Sequence, residues 1–149
     1  MTQRTLIPER DLQEEDLHEL LMEFYASVSE DSLLARYFEA IDMPSHMPRI
    51  VDFWSTLVFH SGRYTGNAFR PHLAMPGLTA AHFARWLETL DMTLDAHFSG
   101  DRTEQMKDFG RRVAFSMQLR LGIAPLADYQ SSPKAPIPIR QSLPLDRDP

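Results

Sequence analysis

Apolar residues recur at three- and four-residue intervals along most of this 149-residue chain, a period that lines up one face of an α-helix and predicts an all-α body. From Asp11 to about Val28, Leu17, Leu21, Phe24 and Val28 form one stripe, and Tyr25 lies beside it, four residues after Leu21. Asp11 and Glu14 stand three apart ahead of the stripe, the spacing of a capping-box variant. A second helix is expected over residues 31–41, carrying Leu33, Leu34, Tyr37, Phe38 and Ile41 and ending before Asp42-Met43-Pro44. Ser45 caps a third, with Pro48 tolerated in the first turn, where an amide has no intrahelical partner, and a stop at Gly62. Its apolar face is Ile50, Phe53, Trp54, Leu57 and Val58. Thr79 caps a fourth helix from Ala80 to about Phe98, with Leu78 and Phe83 placed as a hydrophobic staple. Phe83, Trp86, Leu87, Leu90 and Leu94 share one side of it. Asp101-Arg102-Thr103-Glu104 repeats the capping pattern, and a last helix runs through Met106, Phe109, Val113, Met117 and Leu121 to a Gly122 stop.

Between the third and fourth helices the period fails. The stretch from Tyr64 to Gly77 holds three glycine or asparagine breaks and two prolines, and so long an irregular segment inside a small domain points to function or disorder. Tyr64, Phe69, Leu73 and Met75 give it apolar surface to bury, which argues for order. Pro71 restricts the backbone just before His72, so the loop presents an imidazole at a defined place. Beyond Ala124 the prolines at 125, 133, 136, 138, 144 and 149 prevent a packed element, and an extended or disordered tail is expected. The chain therefore divides into a lead-in of residues 1–10, one domain over 11–124 and a tail over 125–149.

A net charge of −6 with no basic run leaves no electrostatic footprint for nucleic acid or an anionic membrane. No apolar stretch reaches transmembrane length and the start lacks the apolar core of a signal peptide, so a cytoplasmic location is expected. The absence of cysteine excludes disulfides, thiolate metal sites and covalent haem attachment. Histidines become the main candidates for chemistry.

Polar side chains that fall on apolar faces then form a set: Tyr25 on the first helix, His46 four residues before Ile50 on the third, Trp86 on the fourth, and His72 in the loop. Singly, each reads more readily as core or surface than as a ligand. His60 falls close to the same stripe as His46, and spacing does not choose between them. Together, an apolar helical interior, a well-held imidazole and several hydrogen-bond groups are what a haem pocket requires, with donors opposite the imidazole for a diatomic ligand. Arg49, Arg63 and Arg70 flank the pocket-forming segments as candidate partners for haem carboxylates. A haem-free helical binding or regulatory module is the alternative, and a mononuclear histidine metal site a weaker one.

The ordered series Phe24-Tyr25, His46, Phe53-Trp54, Ser61-Gly62-x-Tyr64-x-Gly66-Asn67, His72-Leu73 and His82-Phe83-x-x-Trp86-Leu87 resembles the group III truncated haemoglobins from about Leu20 to Leu121. The resemblance implies a shortened globin fold, a two-over-two helical sandwich, around non-covalent haem b. It makes His72 the proximal iron ligand, Tyr25, His46 and Trp86 the distal residues, and leaves His60 without a role. Ala68 stands where the family often has proline, and the tail has no counterpart. Binding of O₂, with NO or CO as further ligands, is the implied function. Strong distal donors slow O₂ release, which favours NO dioxygenase-like or peroxidase-like chemistry fed by an electron donor over simple oxygen transport.

Overall fold

The computed structural model describes residues 8–68 and 75–126, so His72 and nearly all of the Pro-rich tail lie outside the described residues. Within them the chain is all-α, with helices α1 (Leu17–Glu30), α2 (Met43–Phe59), α3 (Ala80–His97) and α4 (Asp101–Leu121). Two single 3-10 turns, Glu14–Asp16 and Ala35–Phe38, complete the regular elements. Helix α1 packs on α2 and α3, and α4 packs on the same two, which makes two helix pairs laid across one another. The stripes read from the sequence are the faces that meet: Leu17, Leu21, Phe24 and Val28 from α1, Trp54 and Val58 from α2, Leu87, Leu90 and Leu94 from α3, and Met106 from α4 are all essentially inaccessible.

The helix bodies match the expected spacing, but their ends are made differently. Asp11 does not cap α1, which begins at Leu17 after a 3-10 turn whose box is formed by Gln13 and Asp16. Its carboxylate instead reaches the start of α4, accepting from the Arg102 N–H, the Thr103 N–H and the Thr103 hydroxyl at 2.8–2.9 Å. The local Asp101-to-Glu104 pattern is therefore not the cap: Gly100 holds that position, and the acceptor comes from a residue some ninety positions earlier. Only glycine suits this junction. Its φ of +139° is strained for any side chain, and a Cβ would stand 2.5 Å from the Asp11 carboxyl carbon.

The expected second helix is replaced by turns and the Ala35–Phe38 3-10 segment. Asp31 takes the Leu33 and Leu34 amides with its side chain. One i→i+4 bond forms, Ala35 to Asp31, but the backbone continues in i→i+3 steps such as Tyr37 to Leu34, so the turn does not propagate as an α-helix. Helix α2 starts earlier than expected, with Asp42 at its N-cap, so Ser45 lies inside the first turn and donates to the Asp42 carbonyl at 2.9 Å, and Pro48 falls within the helix. It ends at Phe59, where His60 rather than Gly62 takes the left-handed C-cap position, φ 61°. Thr79 and Gly122 close α3 and α4 where the sequence puts them.

Burial pushes the Asp11 carboxyl up, but the hydrogen bonds from Arg102 and Thr103 outweigh it and hold the group below 3.8. A depressed carboxylate stabilises the fold above its unfolded value, and that stability is lost as pH falls through the folded one. Asp11→Ala should lower unfolding free energy by about 1–2 kcal/mol at neutral pH, the size of a lost helix cap. Asp101→Ala should cost a few tenths at most, and the Asp11 effect should fade in acid below pH ~3.8. Urea denaturation of both variants at two pH values checks the assignment.

Candidate ligand-binding cavity

The two helix pairs enclose a cavity of about 340 Å³, inside the range of roughly 300–1,000 Å³ common for small-molecule sites. Most of its wall is apolar, with Phe38, Ile50, Phe53, Trp54, Phe83 and Met117 contributing from the 3-10 turn and three of the helices. Tyr25, His46 and Trp86, three of the four side chains singled out from the sequence, line this one space. The fourth, His72, lies outside the described residues. Residues on both sides of its segment, Tyr64, Asn67 and Ala68 before it and Met75 and Leu78 after it, also line the cavity.

Helices α1 and α3 set Tyr25 and Trp86 against each other. The ring of Phe24 meets both edge-on, at 4.7 Å from Tyr25 and 5.6 Å from Trp86. Trp86 is also stacked on buried Trp54 at 6.3 Å and 21°, so its indole has little freedom to turn. Burial pushes the Tyr25 phenol up to about 12, and a hydrogen bond from the Trp86 indole N–H pulls the other way by less. An indole only donates, so the Tyr25 oxygen is the acceptor and its own O–H remains available.

His46 is less inward than its stripe predicts. It belongs to the first turn of α2, where the next residue, Met47, takes the fully buried place, and its own side chain is exposed at the cavity rim. His60 is exposed at the other end of the same helix. The three candidate arginines separate clearly. Arg63 is committed to Glu14, Asp52 and the buried Ser55 hydroxyl, Arg49 lines the cavity with its guanidinium 5.9 Å over the Tyr64 ring, and Arg70 lies outside the described residues. No group of three or more His, Asp or Glu side chains suited to a metal occurs among the described residues.

Sequence reasoning passed over His82 and Tyr37, which also line the cavity. The buried His82 ring accepts the Thr79 N–H on Nδ1 at 3.0 Å, closing the capping box of α3. A neutral ring so engaged carries its proton on Nε2. The signal was present in the sequence, since His82 stands at the third helical position, where a capping box places its reciprocal side chain. Tyr37 carried no such signal, because it read as one more apolar residue of a helix.

Two crossed helix pairs around an apolar cavity define the fold as that of a truncated globin. The chain is similar to the group 3 truncated hemoglobin ctb of Campylobacter jejuni, 26% identical over 103 residues that cover 65% of this chain and 78% of that protein. Among solved structures, the crystal structure of a group III truncated hemoglobin from Campylobacter jejuni matches with a TM-score of 0.69 and 21% identity, covering 77% of this chain and 95% of that one. Both bear out the resemblance to group III truncated haemoglobins read from the sequence. No family model matches the chain. No described helix is long and apolar enough to cross a membrane.

The raised Tyr25 phenol makes a prediction that needs no ligand. A phenol whose folded value lies above its unfolded value of 10.0 stabilises the fold fully below pH 10, and loses that stability as pH climbs through about 12. Wild-type protein should therefore lose stability faster than Tyr25→Phe between pH 10 and about 12. Guanidinium denaturation across that range would refute the burial argument if the two curves ran parallel.

Proposed function

We propose that the protein is a haem-binding globin whose cavity receives a diatomic gas, O₂ first and NO or CO besides, with His72 as the proximal iron ligand. One observation carries this reading: Tyr25, Trp86 and His46 share a single apolar cavity with the residues on both sides of the His72 segment. Only Leu73 and Ala74 separate His72 from Met75 in the wall, so along the sequence the candidate ligand falls between two stretches that line the cavity. The lining fits haem b, a large flat apolar group, and Arg49 at the wall supplies a cation where carboxylates would emerge. Haem, when bound, supplies the iron at which a diatomic gas is held.

The remaining work falls to the chain. The apolar wall excludes water from the gas. Tyr25 would offer its O–H to a gas held in the cavity, with Trp86 set beside it across the Phe24 ring. His46, exposed at the rim, acts on entry rather than on retention. A hydrogen bond to a charged acceptor contributes about 1.5–3 kcal/mol, which is about ten- to a hundredfold in a dissociation rate. Slow release suits oxidation of NO or activation of peroxide better than carriage, with an electron donor from outside the chain.

Reconstitution with haem tests the reading. Wild-type protein, His60→Ala and His97→Ala should all give a Soret band and the same ferrous spectrum, while His72→Ala should not. An unchanged ferrous spectrum in His72→Ala removes the ligand assignment. In stopped-flow measurements Tyr25→Phe and Trp86→Phe should each speed O₂ release by about an order of magnitude or more, CO release should respond far less, and His46→Leu should act mainly on association. Equal factors for O₂ and CO would mean that the distal residues act by volume alone.

A further inference from the structure

Ring contacts run without a break along one wall of the cavity. Phe24 joins Tyr25 to Trp86, and Trp86 lies against Trp54, the only other indole of the chain. Phe53 then carries the series from Trp54 to Tyr64, with centroids 5.5 and 5.3 Å apart. All of these rings but Phe24 line the cavity itself. The indole pair is nearly parallel at 21°, whereas the other ring pairs among the described residues are edge-on or tilted. Parallel faces overlap their π-orbitals directly, the arrangement in which an electron passes between two rings most readily. Indole and phenol give up an electron far more easily than phenyl does, so Trp86, Trp54 and Tyr64 are the stations of this series and Phe53 spans the last gap. The series ends under a cation: the guanidinium of exposed Arg49 lies 5.9 Å over the Tyr64 ring. A positive charge held over the ring disfavours a second one within it, so oxidation of Tyr64 releases the phenol proton with the electron and leaves a neutral phenoxyl radical.

We infer that these rings form a one-electron relay: a hole created at Trp86 in the cavity wall moves through Trp54 and comes to rest on Tyr64. Only the step that creates the hole rests on the reading of the cavity as a haem site, because the transfer between rings needs the chain alone. The oxidant is hydrogen peroxide, and haem, when bound, supplies the centre at which it is reduced. Each peroxide takes up two electrons and two protons and leaves as two molecules of water. Tyr64 sends the electrons along the rings one at a time and gives its O–H proton to solvent each time, from which peroxide draws the same number. A small phenol or ene-diol arriving beside Arg49 returns a hydrogen atom to Tyr64 after each transfer and leaves as its own radical.

Pulse radiolysis of the haem-free, full-length protein tests the transfer. Azide radicals oxidise indoles, and both indoles of the chain belong to the relay. In wild type the indolyl absorption should decay as a phenoxyl absorption grows, at a rate independent of protein concentration. Tyr64→Phe keeps the ring against Phe53 and removes only the hydroxyl, and it should abolish this phase and leave the indolyl radical long-lived. Trp54→Phe removes the middle station and should slow the phase several-fold. A phenoxyl that still forms at the wild-type rate in Tyr64→Phe overturns the relay, as does an unchanged rate in Trp54→Phe. Tyr64→Phe, which deletes a single oxygen, decides the matter where Trp54→Phe does not fold. After reconstitution with haem and addition of hydrogen peroxide, a spin trap located by mass spectrometry should mark Tyr64 in wild type, and Trp54 or Trp86 instead in Tyr64→Phe. Transfer intact in radiolysis but no trapped radical on Tyr64 after peroxide would overturn the relay's part in peroxide reduction. A protein that takes up no haem brings down the functional reading and the peroxide step with it, and radiolysis still decides the transfer.

Discussion

An apolar cavity that four helices do not fill with their own side chains constrains everything else in this molecule. Side chains that line a space the helices leave unfilled forgo packing contacts on that side. The helices must therefore be held apart by interactions outside the cavity, and a ligand that binds only the folded state returns stability by mass action.

The bracing is polar and joins residues far apart in sequence. Asp11 ties the lead-in to α4, and Glu14 ties the first turn to Ser55 on α2 and to Arg63 just beyond it. Arg102 donates to the Val58 carbonyl at the end of α2 and lies 5.1 Å over the Phe59 ring. The exposed ion pairs, such as Arg85 with Glu88, contribute little by comparison, because water screens them and long side chains lose entropy in forming them. Asp11 differs in accepting three hydrogen bonds in a partly buried junction. There the orphan amides of a helix start would otherwise go without partners.

How much of this could be read from the chain divides along the same line. Periodicity reports which face of a helix is buried, and the α1, α3 and α4 stripes were legible because burial there depends on local spacing alone. Of the helix ends, Thr79 and Gly122 were legible, but the start of α4 was not, because its acceptor comes from Asp11, which local spacing assigns to α1. The segment over residues 31–41 has helical composition, yet a side chain at its first residue takes the amides that an α-helix needs. Tyr25 and Trp86 were legible as polar tips on apolar stripes. The exposure of His46 was not, since its neighbour Met47 takes the buried place. The hydrogen bond from Tyr37 to Pro76 joins residues 39 apart through a backbone carbonyl, and a carbonyl leaves no mark on sequence.

Any hydrogen bond between Tyr25 and Trp86 can run in one direction only, because an indole has a single donor and no acceptor, so Trp86 gives and Tyr25 receives. With the phenol pushed up to about 12, Tyr25 keeps its proton well beyond the neutral range. Removing either partner therefore leaves a different defect. Phenylalanine at 25 takes away the phenol oxygen, while the stack on Trp54 holds the indole where it is. Phenylalanine at 86 leaves the phenol O–H in place but free to swing, since nothing then fixes its oxygen. Side chains in contact couple non-additively when both are removed, so the double variant, set beside the two single ones, separates a pair that acts as a unit from two side chains that act independently.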